Sequence, residues 1–557
     1  MDFLPDIWGS GSVFGYPESG DIGLHGRLCA DGIGVDFDGS DRCSLRINIG
    51  DICDISPKAV FPEYVRMTVE GRTDAFDITI GAVSPQSVYI HCDRCADVDL
   101  TFGEDFSAEP CDGGKVYLCG SSRYSLIRRT CDGGVVYGFA CGDDCEAEAR
   151  KASGLSVKFV SEALLEPYKE LNIPDSISDI YRPLYMRCAG IVRNGISSKH
   201  CFGKCVGGRF TIPVVGSIMR AVALKNMFPE YARATVLKVA DHISGDGFLP
   251  ADITESCCVS AAPPVICYGF DEILGDDKEL VRKYYDSLRS CIMYFVEKRD
   301  INKDYTYQLS SGDKGDPGVE CGMPNSPRFD SGVLQSSPDI SGYMYLAALA
   351  MGNMSRTINR NSDIIYWGIL AQRIATGANT RLFDKSKCFY YDRPIIGSHF
   401  VDVRATSGFM PLFAGFVPEE AVSDIVAHLD DPTAFRTGRG IPTVAVGDAK
   451  YCQDMNRGSM SLFECYKILK GMMDAGFITK AQAIAGRCLD TVRRGYMDDG
   501  ILYSHYSSDR AVSHHRQKLF GKSIMQPCRD NFEFVADCPE TAAYVLAIAN
   551  MMAEDKN

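Results

Sequence analysis

Two periodicities divide the chain. From about residue 40 to 160, apolar and polar residues alternate in short runs: Ser44-Leu-Arg-Ile-Asn-Ile49, Tyr64-Val-Arg-Met-Thr-Val69, Phe76-Asp-Ile-Thr-Ile80, Ser87-Val-Tyr-Ile-His91, Lys115-Val-Tyr-Leu-Cys119 and Val135-Val-Tyr-Gly-Phe139. Successive side chains of a strand point to opposite faces, so alternation suits a sheet with one face buried. Clusters of Gly, Asp, Pro and Ser separate the runs at regular spacing, which predicts an antiparallel β-sandwich. After about residue 165 the apolar spacing changes to three and four residues. It does so in Ile177-Ser-Asp-Ile-Tyr-Arg-Pro-Leu-Tyr-Met-Arg187, in 279–295, in 364–374, in 462–473 and in 541–552. That spacing places apolar residues on one face of a helix.

About eleven such helical segments fall between 165 and 553, many joined by loops of several residues. No self-similar repeat of fixed period runs through them, so a toroid of paired helices fits better than a solenoid. No strand–glycine loop–helix unit is present, which argues against a dinucleotide or P-loop site. With 557 residues the chain exceeds what one hydrophobic core usually spans. The expected organisation is a sandwich domain over 1–165 and a helical domain over 166–557.

Composition sharpens this. Hydrophobic content of 45% and charged content of 24% are those of a globular protein. A formal net charge of −15 lacks the basic footprint that nucleic acid or an anionic membrane would require. The first 25 residues have neither a basic start nor an apolar core, and no run approaches the length of a membrane span. The expected location is the cytoplasm, and the 24 cysteines are expected to be reduced thiols. The pairs Cys92–Cys95, Cys141–Cys145 and Cys201–Cys205 lack the four-ligand pattern of a structural zinc site, so no metal or other cofactor is expected.

The chemistry-bearing stretch is Glu320-Cys-Gly-Met-Pro-Asn-Ser-Pro-Arg-Phe-Asp330. It resembles the Glu-Ser-Gly-Met-Asp-Asn-Ser-Pro-Arg loop of the α/α-barrel glycosidases that include trehalase, processing α-glucosidase I and mannosylglycerate hydrolase. Further matches follow in family order. Asp246-Gly-Phe-Leu-Pro250, Ser260-Ala-Ala-Pro-Pro-Val-Ile-Cys-Tyr268, Cys388-Phe-Tyr-Tyr-Asp392, Ser407-Gly-Phe-Met-Pro-Leu-Phe-Ala-Gly415, Arg457-Gly458 and Glu540-Thr-Ala-Ala-Tyr-Val-Leu546 are each similar to a family segment. The resemblance implies an (α/α)6 barrel behind the β-sandwich. It also implies a carbohydrate-active enzyme, an inverting exo-acting glycosidase on a small polar or anionic glycoside or oligosaccharide.

The departures lie where the family does its chemistry. Pro324 stands at the position of the family's general acid. Pro213-Val-Val-Gly-Ser217 stands for its Trp-Asp-Ser entry motif, Ser461 and Glu540 stand for its platform tryptophans, and Leu502-Tyr-Ser-His-Tyr-Ser507 has no counterpart of the base glutamate. A His- and Arg-rich stretch, roughly 508–532, follows. Inversion needs a protonated acid and an ionised base about 6.5–9.5 Å apart. Asp330, Glu540 and Glu320 are the carboxylates put forward for these roles, with Asn325, Arg328, Arg457 and His505 to orient hydroxyls or an anionic group. Each has a structural alternative: Asp330 can brace its loop, Glu320 can accept backbone amides, Glu540 can cap the last helix, Arg457 can tie loops together, and His505 can stand in a pocket wall. Two other readings remain open. One is an inert sugar-binding protein on the same barrel, the other a non-hydrolytic lyase or isomerase using Tyr503, His505 and Tyr506.

Overall fold

The computed structural model describes residues 24–554, apart from 509–537 and several short loop segments. The His- and Arg-rich stretch with His514, His515 and Arg516 lies outside the described residues, as do Trp8 and Cys95. The contacts fall into two compact units. One comprises Met1–Lys199, Asp499–Tyr503 and Asn531–Ala542; the other comprises His200–Asp498, Ser504–Asp530 and Ala543–Asn557.

The first unit contains two antiparallel sheets. Eight strands run in the order Ile52–Val60, Tyr64–Gly71, Ala75–Ser84, Ser87–Cys92, Gly134–Cys141, Ser122–Cys131, Gly114–Cys119 and Phe106–Cys111. Four others form a second sheet, Leu24–Cys29, Gly32–Phe37, Cys43–Asn48 and Asp97–Phe102. All six runs with alternating pattern are strands. Two helices then cover the large sheet. Cys145 and Ala149 of Cys145–Ser153 pack on Val116, Ile127 and Ala140, while Val160 of Val157–Lys169 joins Tyr64, Tyr89 and Val136. Gly138 is the closest approach. A Cβ there would stand 1.9 Å from the carbonyl oxygen of Ala149, so only glycine lets strand and helix meet.

The helix expected to begin near Ile177 begins at Arg182 and runs to Ser197. Pro183 explains the shift, since proline suits the first turn of a helix and breaks its interior.

The second unit forms an (α/α)6 toroid. Val214–Ala223, Val265–Leu274, Pro338–Thr357, Met410–Ala414 and Leu462–Asp474 each touch the next. In the last inner helix, Pro539–Glu554, Tyr544 packs its ring on Phe463 and Tyr466. Asn550 reaches Met227 just beyond the first inner helix and so closes the circle. Between them run Pro229–Ala240, Lys278–Lys298, Asn361–Arg381, Glu419–Ala427 and Ile478–Asp499. Among the described residues, eleven α-helices of nine residues or more lie between 182 and 554. Caps fix their ends where the sequence supplies them: Asp277 accepts the Leu280 amide at 3.1 Å and starts the helix Lys278–Lys298.

No helix among the described residues is long and apolar enough to cross a membrane. The cysteines of the described residues whose state is defined are free thiols, most of them buried, and no group of three or more metal-capable side chains is found among these residues.

One inner-ring contact gives a stability prediction. Asp271 accepts from the Asn353 amide at 2.8 Å across two inner helices, and burial lifts its carboxyl to about 6. A folded value above the unfolded one means that ionisation opposes folding, so stability is lost as pH rises from about 4 through about 6. Asp271→Asn should therefore add about 1–2 kcal/mol near neutral pH, allowing for partial solvent screening, and nothing below about pH 4. Melting temperatures at the two pH values test this; a neutral-pH decrease would refute it.

Candidate functional site

The loop joining the second outer helix to the third inner one is built by local rules. Asp316 caps the short helix Pro317–Cys321, accepting the Gly318 and Val319 amides at 2.7 and 3.4 Å. Gly322, with φ of 77°, ends it in the left-handed region. Glu320 points inward and is 1% exposed. Its carboxylate accepts from the Ala261 amide (3.0 Å), the Ser310 amide and hydroxyl (2.6 Å each) and Arg299 (3.0 Å). Four donors occupy its two oxygens. Two of the four are backbone amides, as the structural alternative for Glu320 expects; the others are the Ser310 hydroxyl and Arg299.

Arg328, expected to orient a ligand, is turned into the core and is 1% exposed. The 3-10 turn Pro327–Phe329 aims it there. Its Nη1 donates to both oxygens of Asp392 (2.9 and 3.0 Å) and to the Ser337 hydroxyl (3.0 Å), and its Nη2 donates to Asp339 (2.8 Å). One guanidinium therefore serves two buried carboxylates. Burial pushes both carboxyls up. At Asp339 the pull of Arg328 and Ser337 wins and holds it below the usual range; at Asp392 burial wins and leaves it above.

Beyond this anchor the loop faces a second one, 450–458. Arg457 grips Asp330 with two parallel bonds, Nη1 to Oδ1 at 2.8 Å and Nη2 to Oδ2 at 2.7 Å, and Lys450 adds a contact at 3.5 Å. The Arg457 hydrogen bond, ahead of the charge itself, holds the Asp330 carboxyl below its ordinary value. Four further bonds stitch the loops. The Asn456 amide donates to Asn325 Oδ1 (3.1 Å), Asn456 Nδ2 to the Pro324 carbonyl (2.9 Å), Asn325 Nδ2 to the Asp454 carbonyl (3.3 Å) and Arg457 Nη1 to the Asn325 carbonyl (3.2 Å). His505 Nε2 lies 3.3 Å from Asn456 Oδ1 and so backs the same cluster. Asn325 (φ 58°) and Met455 (φ 44°) are both left-handed, a conformation most side chains avoid and one that recurs at functional sites.

A hollow of about 310 Å³ opens beside this junction, with Ser310, Asn325, Ser326, Asp330, Gln335 and Arg457 among its polar walls and Pro317, Phe329 and Val333 among its apolar ones. Of the three carboxylates put forward from the sequence, Asp330 lines it. Glu320 lies behind the loop. Glu540, half-buried in the first turn of Pro539–Glu554, is not a lining residue. Asn325, Arg457 and Asp330 are brought together as expected of one site, and Arg328 supports them from within.

Sequence reading passed over three residues here. Asp454 precedes Arg457 by three positions, and burial raises its carboxyl, against the opposing pull of Arg457 and Asn325. Its signal was its place just ahead of Arg457-Gly458. Ser326 lies inside the catalytic-loop motif itself. Gln335 stands in the polar run that leads into the Ser337-Pro338 helix start.

Residues 259–502 match the family model described as the mannosylglycerate hydrolase MGH1-like glycoside hydrolase domain. Among solved structures, a bacterial glucoamylase complexed with acarbose aligns over 100% of this chain and 94% of its own, with TM-score 0.64 and 8% identity. The GH63 mannosylglycerate hydrolase from Thermus thermophilus, in complex with glucose, aligns over 62% and 93%, with TM-score 0.50 and 14% identity. At such identities these two structures attest the fold.

Proposed function

We propose that this chain, whose residues 259–502 match a glycoside hydrolase domain model and whose fold is of the (α/α)6 class, is an O-glycosyl hydrolase acting with inversion on a small polar glycoside. The observation that carries this reading is a pair of carboxyls pushed in opposite directions around Arg457 and Asn325, with Asp330 on the wall of the hollow and Asp454 on the 450–458 loop outside its lining. Asp454 is lifted by burial, while Asp330 is held down by Arg457. Environments that split two carboxyls in this way divide them into a proton donor and an ionised partner. In this reading Asp454 protonates the leaving oxygen, and Asp330 receives the proton of the water that attacks the anomeric carbon from the opposite face. Asn325 and Arg457 fix the two carboxyls relative to one another, and His505 steadies Asn456 behind them. The acid role considered for Asp330 suits it less than the base role, because a carboxylate gripped by a guanidinium gives its charge up reluctantly.

The experiment is incubation with a panel of aryl glycosides and disaccharides, followed by proton NMR of the first-formed anomer. Consumption with inverted configuration is expected; retained configuration, or no consumption across the panel, defeats the reading. Pro324 favours the second reading, an inert sugar-binding protein on the same barrel, because the family's acid is missing from its own position. That protein would bind glycosides and leave them intact.

A further inference from the structure

The hollow has walls whose hydrogen bonds are incomplete. Ser326 and Gln335 are each 2% exposed, yet among the described residues the Ser326 hydroxyl and both ends of the Gln335 carboxamide have no partner. Buried polar groups are nearly always paired, and leaving one unpaired is unfavourable. Orphans gathered on a cavity wall therefore call for a partner that arrives from outside.

Their chemistry restricts that partner. The carboxamide offers two donors and one acceptor, and the hydroxyl offers both functions. A ligand matching all of them must itself donate and accept, as sugar hydroxyls do. A carboxylate or phosphate only accepts. Charge points the same way. Arg457, the cation of the lining, has both fork arms engaged by Asp330, and Lys450 leans on that carboxylate too. Asp316 adds a second negative group, already satisfied by the helix amides it caps. Among the described residues no lining cation is left to receive an anion. The volume, near the lower end of the ~300–1,000 Å³ typical of ligand pockets, suits one ring rather than a chain. Phe329 and Val333 offer an apolar wall for the ring's C–H face.

We propose that Gln335 and Ser326 are the specificity-determining residues of this hollow, selecting a single neutral, hydroxyl-bearing ring and rejecting its anionic counterparts. Taking that ring as part of the substrate rests on the hydrolase reading; its capture does not.

Binding of methyl α-glucoside, methyl α-mannoside and myo-inositol, against glucuronate and glucose 6-phosphate, tests this by saturation-transfer NMR and calorimetry. Wild-type protein, Gln335→Met and Ser326→Ala are compared. A neutral probe is expected to bind the wild type, each variant to bind it roughly tenfold more weakly, and the anionic probes to bind none of the three. The melting temperatures of the free variants should be unchanged or higher, because each substitution removes an orphan; a purely structural role would lower them. Unchanged affinity in both variants, preference for an anionic probe, or no binding of any neutral probe to the wild type would overturn the proposal. Neutral binding that depends on Gln335, in a protein that turns over no glycoside, would sink the hydrolase reading and leave this one standing.

Discussion

Arg328→Met should destabilise the protein by about 3–5 kcal/mol near neutral pH, the largest loss expected of any single change in the candidate loop. The guanidinium is the shared partner of Asp339 and Asp392, both almost wholly buried. Without it the two carboxylates are left with only the charge of Lys467, which acts on Asp339 and is already paired with Glu464, and ionising both becomes unfavourable. The loss should therefore shrink as pH falls and the pair takes up protons. Arg328→Lys should rescue little, because a single ammonium cannot reproduce the fork that reaches both acids. Urea unfolding near neutral pH and near pH 5 measures each effect. A variant within about 1 kcal/mol of the wild type at neutral pH would show that the network contributes far less than its burial implies.

The second large effect concerns turnover. If Asp454 and Asp330 are donor and base, Asp454→Asn and Asp330→Asn should each lower kcat by about 10²–10⁴, with modest change in KM. The pH profile carries more information than the rate. Asp454 must be protonated, so activity is lost as pH rises through its elevated value. Asp330 must be ionised, so activity is lost as pH falls through its depressed value. Asp454→Asn should remove the alkaline limb and Asp330→Asn the acid limb. Arg457→Met should move the acid limb upward, since the group that depresses Asp330 is gone. Steady-state rates across pH decide the matter; an acid limb unmoved in Arg457→Met would remove Asp330 from the mechanism.

The parts of the fold that were legible in the sequence are those whose burial pattern repeats along one element. Helices 278–298, 361–381, 462–474 and 539–554 carry a continuous apolar stripe, and the six strands with clean alternation pair as expected. Strands without that pattern escaped. Phe106–Cys111 is an edge strand, exposed along nearly its whole length and containing Pro110. Ile52–Val60 carries Pro57 at a break in register. The site was half legible. Residue types in 320–330 identified the right loop, but not which side chains turn inward. Arg328 and Glu320 find their partners up to 64 residues away, and Asp330 finds Arg457 across 127 residues. Local sequence carries no record of such pairings. Orphaned groups such as Gln335 are further out of reach, since they are defined by what fails to surround them.

The stitching between 324–330 and 450–457 has a consequence for anyone altering this protein. Asn325, Asp330, Asn456 and Arg457 hold one another through main-chain atoms as well as side chains, and Asn325 sits in left-handed backbone, as does Met455 beside Asn456. Each loop has local anchors of its own, but the facing tips, 324–325 and 454–457, are held by one another. Transplanting one loop from a relative would deliver a partner-less half, so exchange of substrate preference calls for moving both segments as a single cassette. In natural variation the same constraint predicts that positions 325, 330, 456 and 457 change together or stay fixed.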